Sequence, residues 1–228
     1  MSVNRVRVKR VFDLVAGSIL SLACCPVAAL VAVAVRIMLG RPVIFSHERT
    51  GLHGEQFQCY KFRTMTNACD EHARLLPDGE RMTRLGERLR RFSLDELPQF
   101  WNVLKGDMSL VGPRPLLPEY MPRYTPSQRR RHEVKPGITG WAQVNGRNSL
   151  TWEQKFELDV WYVDHLTLRL DFKILWMTLL KVVCGEGVSQ QGHATMPKFM
   201  GSRACCFDVT ASANRDIGQQ RRSLDETT

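Results

Sequence analysis

At 228 residues the chain has room for one compact domain plus smaller additions, and its net charge of +9 points to anionic partners: nucleic acid, phosphorylated metabolites or an acidic membrane surface. Seven cysteines, an odd number with no Cys-x-x-Cys or His-x-x-x-His spacing, argue against a disulfide framework and a zinc site and suit a reducing compartment for the soluble part. Arg5, Arg7, Lys9 and Arg10 open the chain, and Leu14 to Val35 then runs for 22 residues without a charge, long enough to cross a bilayer. Pro26 interrupts that run and Arg36 and Arg41 follow it, so both flanks are basic, which the positive-inside bias places on one face of the membrane. Three readings fit: a spanning helix, a re-entrant helix broken at Cys25 and Pro26, and a secretory signal peptide.

Pro42 to Phe62 reads as a β-hairpin turning at Thr50 to Gly54. Lys61 and Arg63, two apart, share a strand face, either as a phosphate clamp or as the charged edge of a sheet. Thr66 to Gly79 is polar, and Glu80 to Phe92 carries Met82, Leu85, Leu89 and Phe92 at helical spacing, a helix with a basic outer face.

Ser93 to Gln99 holds two adjacent carboxylates, Asp95 and Glu96, between that basic helix and a Pro/Gly-rich loop. One carboxylate is able to attack phosphorus while its neighbour holds a divalent cation. The same residues fit a Ser-x-x-Glu helix start, but Pro98 would then sit too deep in the helix; with Asp95 as the cap, Pro98 falls in the first turn. The sequence thus predicts Asp95 at the N-terminus of a helix that runs through Phe100 and Leu104 to Gly106, where the helix dipole favours both an ionised carboxylate and a bound phosphate.

In Asp107 to Pro115, two prolines bracket Arg114 and lower the ordering cost of holding a guanidinium against phosphate. Arg129, Arg130, Arg131 and His132 read as a solvated or headgroup-facing basic run. In Lys135 to Asn148, glycines allow close approach to a ligand and Arg147 is a phosphate or nucleobase candidate. Thr151 to Leu166 is a capped helix in which Asp159 lies beside the apolar stripe, so a metal or a basic neighbour must pair with it. Leu170 to Val183 is an amphipathic helix for the core or the membrane interface, and the polar chain after Gly201 reads as disordered.

Lys61 to Met65, Ser93 to Gln99, Asp107 to Pro115, Lys135 to Val144 and Phe156 to Asp159 together resemble the bacterial sugar transferase family, the monotopic polyprenyl-phosphate phosphoglycosyl transferases, over about residues 5 to 201. Asn145 to Asn148 and the Gly187 to Gly201 end are most similar to short members that initiate glycan assembly with N-acetylated, bacillosamine-type sugars.

The resemblance implies an α+β architecture. A re-entrant membrane helix broken at Pro26 occupies residues 1–41, a small, mostly helical catalytic domain with a β-hairpin occupies 42–201, and a disordered tail occupies 202–228. It implies that Asp95 attacks the sugar-bearing phosphate of a UDP-sugar, releases UMP and carries a covalent phosphosugar, which polyprenyl (undecaprenyl) phosphate then accepts. Asp95 and Glu96 would hold Mg²⁺, and Lys61, Arg63, Arg114, Arg147 and Asp159 would bind substrate. The implied location is the cytoplasmic face of a bacterial inner membrane, among membrane lipids and without nucleic acid; a homodimer is left open. Cys25 stands where relatives often carry Ser, a weaker hydrogen-bond partner for the break. Two competing readings remain: a membrane-tethered basic binding or scaffold protein, which gives Asp95, Glu96 and Asp159 no task, and a phosphohydrolase, which product analysis separates from a transferase.

Overall fold

The computed structural model describes residues 3–146, 149–184 and 198–201; the tail expected to be disordered, 202–228, lies outside them. Helix α1, Val3–Met38, is a single helical element with Pro26 inside it. Proline removes one helical hydrogen bond and crowds the carbonyl four residues back, yet helical structure is kept on both sides. Among the described residues α1 is the one helix long and apolar enough to cross a bilayer, and most of its apolar surface, including Ile19, Leu22, Leu30 and Ile37, is exposed.

The hairpin follows: strands β1 (Ile44–Thr50) and β2 (Gln56–Phe62) pair antiparallel from Ile44↔Phe62 to Thr50↔Gln56. The basic helix expected over Glu80 to Phe92 is instead two pieces, α2 (Asp78–Arg81) and α3 (Arg84–Arg91). Thr83 causes the division: its hydroxyl oxygen accepts from Gly86 N (3.0 Å) and donates to Thr64 O (3.1 Å), which starts a new helix. Helix α4, Gln99–Lys105, ends at Gly106 with φ of 104°, the expected glycine stop.

Strands β3 (Ser109–Val111) and β4 (Gly137–Thr139) form a short parallel pair, joined through α5 (Pro126–Arg129), and β4 runs into α6 (Trp141–Val144). Helices α7 (Trp152–Asp164) and α8 (Leu168–Cys184) close the fold, and Thr151 caps α7 with a full capping box. The core gathers Val103, Met108, Leu110, Val111, Tyr162 and Ile174; a second cluster of Val31, Val35, Phe62 and Leu89 joins the far half of α1 to the hairpin and α3. On α8 the buried side is Asp171 and Ile174, while Phe172, Trp176, Leu179 and Val183 are exposed on an apolar face.

Polar contacts fix the near half of α1 to the domain. Arg10 donates to the Val103 and Leu104 carbonyls at 2.6 and 2.9 Å, where the last carbonyls of α4 lack helical partners. Asp13, 2% exposed, accepts from Ser109 Oγ and Leu110 N. Lys9 pairs with the fully buried Asp171 at 2.7 Å, and Asp171 also accepts from the Tyr162 hydroxyl. Asp171→Ala would leave the Lys9 ammonium buried without a counter-charge, and a loss of about 3–5 kcal/mol in unfolding free energy is expected. Thermal and denaturant unfolding of the lipid-embedded protein measure it; an unchanged midpoint would show that α1 does not depend on this pair.

Candidate active site

Helix α3 ends in a left-handed residue, Ser93, at φ of 55°. Ser93 therefore caps no helix, and the Ser-x-x-Glu pattern is not used as a capping box. The reversal leads into a 3-10 turn, Leu94–Glu96, and α4 begins only at Gln99 after Pro98. Asp95 thus lies in the turn ahead of α4 rather than at its cap. The cause is packing: Leu94 and Leu97 turn into the cluster around Val31, Val35 and Leu89, which directs the two carboxylates the other way, into a cleft.

The cleft encloses about 670 Å³. Its walls carry Arg49, Lys61, Arg63, Arg81, Arg90, Arg114, Arg131, Lys155 and Lys198 against four carboxylates, Asp78, Asp95, Glu96 and Asp159. Such an excess of cations is suited to a polyanion. Glu96 Oε1 is shared by Lys61 Nζ at 2.7 Å and Arg114 Nη2 at 2.9 Å, and Lys61 Nζ also lies 3.9 Å from Asp95 Oδ2. Burial, and next the Glu96 charge, push the Asp95 carboxyl above its usual range, against the opposing pull of Lys61, Arg90 and Arg114.

Each of these side chains is held from behind. Asn102, fully buried on α4, donates to Gln58 O (2.7 Å) and accepts from Tyr60 N (3.2 Å), which seats the edge of β2 and so places Lys61. The Arg114 loop is clamped by Gly112 N to Thr139 O (2.9 Å) and Gly137 N to Pro113 O (3.0 Å). A Cβ on Gly137 would meet Gly112 N at 2.1 Å, so this glycine allows one backbone to approach another, not a ligand as expected.

Asp159 has the basic neighbour its burial requires: Oδ2 accepts from Arg131 Nε (3.1 Å) and Nη2 (2.8 Å). Arg131 Nη2 also donates to the Arg114 carbonyl at 2.7 Å. Asp159 lines the cleft but holds Arg114 through Arg131. Arg131, at 2% exposure, and His132, at 7%, are therefore no part of a solvated basic run. Arg63 also reaches the cleft wall, with its Nη1 donating to the Arg41 carbonyl at 2.9 Å, which ties it to the exit of α1. Arg147 lies outside the described residues.

Sequence reasoning missed His47, Arg49, Lys155 and Lys198, and placed Arg90 on an outer face. The available signal was the alternation of Phe45, His47 and Arg49 along β1, which puts all three on the cleft side with Lys61. Burial and the neighbouring Arg49, Lys61 and Arg114 lower the His47 pKa to about 3, so its imidazole is neutral. Asp95 and Glu96, adjacent and both facing the cleft, are the residues that would hold a Mg²⁺ ion, a cation bound through one or two carboxylates. Among the described residues no group of three or more metal-ligating side chains offers an all-protein cage.

The chain matches the family model for bacterial sugar transferases over residues 4–185. It belongs to the bacterial sugar transferase family. Among relatives, it is 57% identical over 195 residues to the uncharacterized sugar transferase EpsL of Bacillus subtilis, covering 85% of this chain and 96% of that protein. It is 39% identical over 189 residues to the UDP-glucose:undecaprenyl-phosphate glucose-1-phosphate transferase of Escherichia coli, covering 78% of this chain and 40% of the relative. It is 38% identical over 188 residues to the UDP-N-acetylgalactosamine-undecaprenyl-phosphate N-acetylgalactosaminephosphotransferase of Aeromonas hydrophila, covering 79% and 44%. The chain thus spans nearly all of EpsL and less than half of the other two.

Two measurements test how this sugar transferase holds its site. Asp159→Ala leaves Arg131 buried and unpaired and is expected to cost about 3–5 kcal/mol of stability; a loss under about 1 kcal/mol would mean that Arg131 takes another partner. A carboxyl whose pKa is raised by folding loses stability as pH rises through that value. Asp95→Asn removes this cost, so its Tm near neutral pH is expected to equal or exceed that of the wild type, and a lower Tm would contradict the strained charge.

Proposed function

We propose that this protein transfers a sugar 1-phosphate from a UDP-sugar to undecaprenyl phosphate at a membrane surface, through a covalent intermediate on Asp95. The observation that carries the reading is the placement of Asp95 beside a Glu96 carboxylate that already gathers Lys61 and Arg114, in a strongly cationic cleft. The names of the Escherichia coli and Aeromonas hydrophila relatives state the same reaction class for those proteins.

In the proposed first step an Asp95 carboxylate oxygen attacks the sugar-bearing phosphorus and forms a P–O bond. The bond from that phosphorus to the bridging oxygen breaks, and UMP leaves with the electron pair. In the second step a phosphate oxygen of the lipid attacks the same phosphorus, and the bond to Asp95 breaks and restores the carboxylate. The product is a polyprenyl-diphosphate sugar, the first unit of a glycoconjugate. Lys61 and Arg114 bind the phosphate oxygens on which charge accumulates, and Arg131 with Asp159 keeps Arg114 in place. Asp95 and Glu96 would hold Mg²⁺, which supplies charge neutralisation when bound. An N-acetylated sugar is the donor we favour, on the resemblance to short initiating members.

Helix α1 is proposed to be re-entrant and to keep the catalytic domain on the cytoplasmic face. Lys9, Arg10 and Asp13 on one arm and Val31 and Val35 on the other both pack on the domain, while Leu22, Cys25, Pro26 and Val27 between them are exposed. That pattern suits a helix whose tip enters lipid and whose arms return to the same side. The exposed face of α8 and Trp101 of α4 add apolar surface suited to the interface.

Release of UMP from a panel of UDP-sugars, with and without undecaprenyl phosphate, tests the reading. One UMP per enzyme without lipid, and continued release from the same donor only with lipid, support it, and sugar phosphate released to water would replace it with a hydrolase. Asp95→Asn is expected to reduce turnover to background with membrane insertion intact, and Arg114→Ala to reduce it about 10²-fold; wild-type rates in either would remove that role. Because Asp95 must be ionised to attack, the rate is expected to fall on acidification through a single protonation that Asp95→Asn removes along with the activity.

A further inference from the structure

Arg63 lines the cleft at 8% exposure, yet among the described residues no carboxylate stands within ion-pair distance of it. Lys61, Arg81, Arg114, Arg131 and Lys198, which share the cleft, each have one. The hydrogen bond Arg63 makes runs from Nη1 to the Arg41 carbonyl at 2.9 Å; Nε is buried without a partner, and Nη2 has none among the described residues. A guanidinium is rich in N–H donors and accepts nothing, and taking it out of water without a counter-charge is costly. An anion that enters the cleft removes that cost.

The hairpin fixes where such an anion lies. Arg63 N donates to Val43 O at 3.0 Å, which carries the ladder one residue past the end of β2. Side chains alternate along this edge: Phe62 packs on Val31 and Val35 of α1, while Lys61 and Arg63 both line the cleft. Two residues of strand separate their Cα atoms by roughly 7 Å. Lys61 is the lysine beside Asp95, so a phosphate held at Arg63 is the neighbour of one held at Lys61, as the two phosphates of a diphosphate product are. Arg63 is also on the side of α1, since Arg41, whose carbonyl it holds, follows the end of that helix at Met38. A phosphate whose chain stays in the bilayer is confined to this side; a soluble nucleotide is not.

We propose that Arg63 receives the phosphate of the polyprenyl acceptor and holds it beside the phosphosugar on Asp95 for the second step. This rests on the two-step reading given above, in which Arg63 has no task. An oxygen of the lipid phosphate forms the new P–O bond and the bond to Asp95 breaks, its electron pair returning to the carboxylate. Arg63 donates N–H to an oxygen that does not attack, and no proton is transferred.

The full chain in phosphatidylcholine nanodiscs separates the two steps. Without acceptor, Arg63→Gln is expected to release the same burst of UMP as the wild type. With undecaprenyl phosphate, its KM for that lipid is expected to rise about tenfold, with the donor KM unchanged. Arg63→Lys, which keeps the charge in a smaller head, should show the same split at smaller size. A second readout needs no turnover: undecaprenyl phosphate is expected to raise the Tm of the wild type by mass action and to leave that of Arg63→Gln unshifted. A donor KM raised as much as the lipid KM, or a lost burst, overturns the inference, because Arg63 would then serve both phosphates or only hold the exit of α1. An equal, Arg63-dependent rise in Tm with phosphatidylglycerol also overturns it and makes Arg63 a contact for bulk headgroups. A wild type that shows no burst overturns the two-step reading instead, and the Tm shift then decides the lipid site by itself.

Discussion

One carboxylate oxygen organises the cleft. Lys61 and Arg114 would repel each other at close range, and Glu96 Oε1, bonded to both, supplies the counter-charge that lets them converge beside Asp95. Three otherwise separate parts of the fold meet there. The hairpin brings Lys61 and is seated by Asn102; the turn after α3 brings the acids and is seated by Leu94 and Leu97; the loop after β3 brings Arg114 and is seated by Arg131. The supports are the buried Asn102 and Arg131 and the half-buried Leu94 and Leu97, and of these Arg131 alone also lines the cleft.

That division between acting and supporting residues decides what could be read in advance. The hairpin, the Gly106 stop, the Thr151 cap and the apolar stripe of α7 follow local rules, and local rules are visible in a linear chain. Asp95, Glu96 and Arg114 stood out in the chain as charges beside prolines, and Lys61 by its place two residues from Arg63 on a strand face; the structure brings the four to one cleft. Arg131 did not stand out. In the sequence it is one of three consecutive arginines, and only the tertiary fold shows that Arg130 faces Asp164 at the surface while Arg131 turns inward to Asp159. Pro98 in a first turn points to Asp95 as the helix cap; the left-handed Ser93 and the apolar demands of Leu94 and Leu97 prevail, and α4 begins only after Pro98.

The attachment of α1 follows the same logic with different forces. A helix whose flank is so apolar gains most of its free energy from lipid, at roughly 25 cal/mol per Å² of apolar surface. That gain is non-directional and sets neither rotation nor depth. Lys9, Arg10 and Asp13 supply direction, since each satisfies a buried charge or a helix-end carbonyl of the domain at one geometry only. Lipid holds the helix, and these three residues set how the domain sits upon it.

The pairing of β1 with β2 limits how the protein is able to vary. Phe45, His47 and Arg49 reach the cleft because side chains alternate along the strand, so gain or loss of a single residue in the stem would turn all three outward and bring Ser46 and Glu48 in. Gly51 to Gly54, at the distal turn, carry no such parity. The stem therefore admits changes of side chain but not of length, and any change in the length of the hairpin has to fall at its tip.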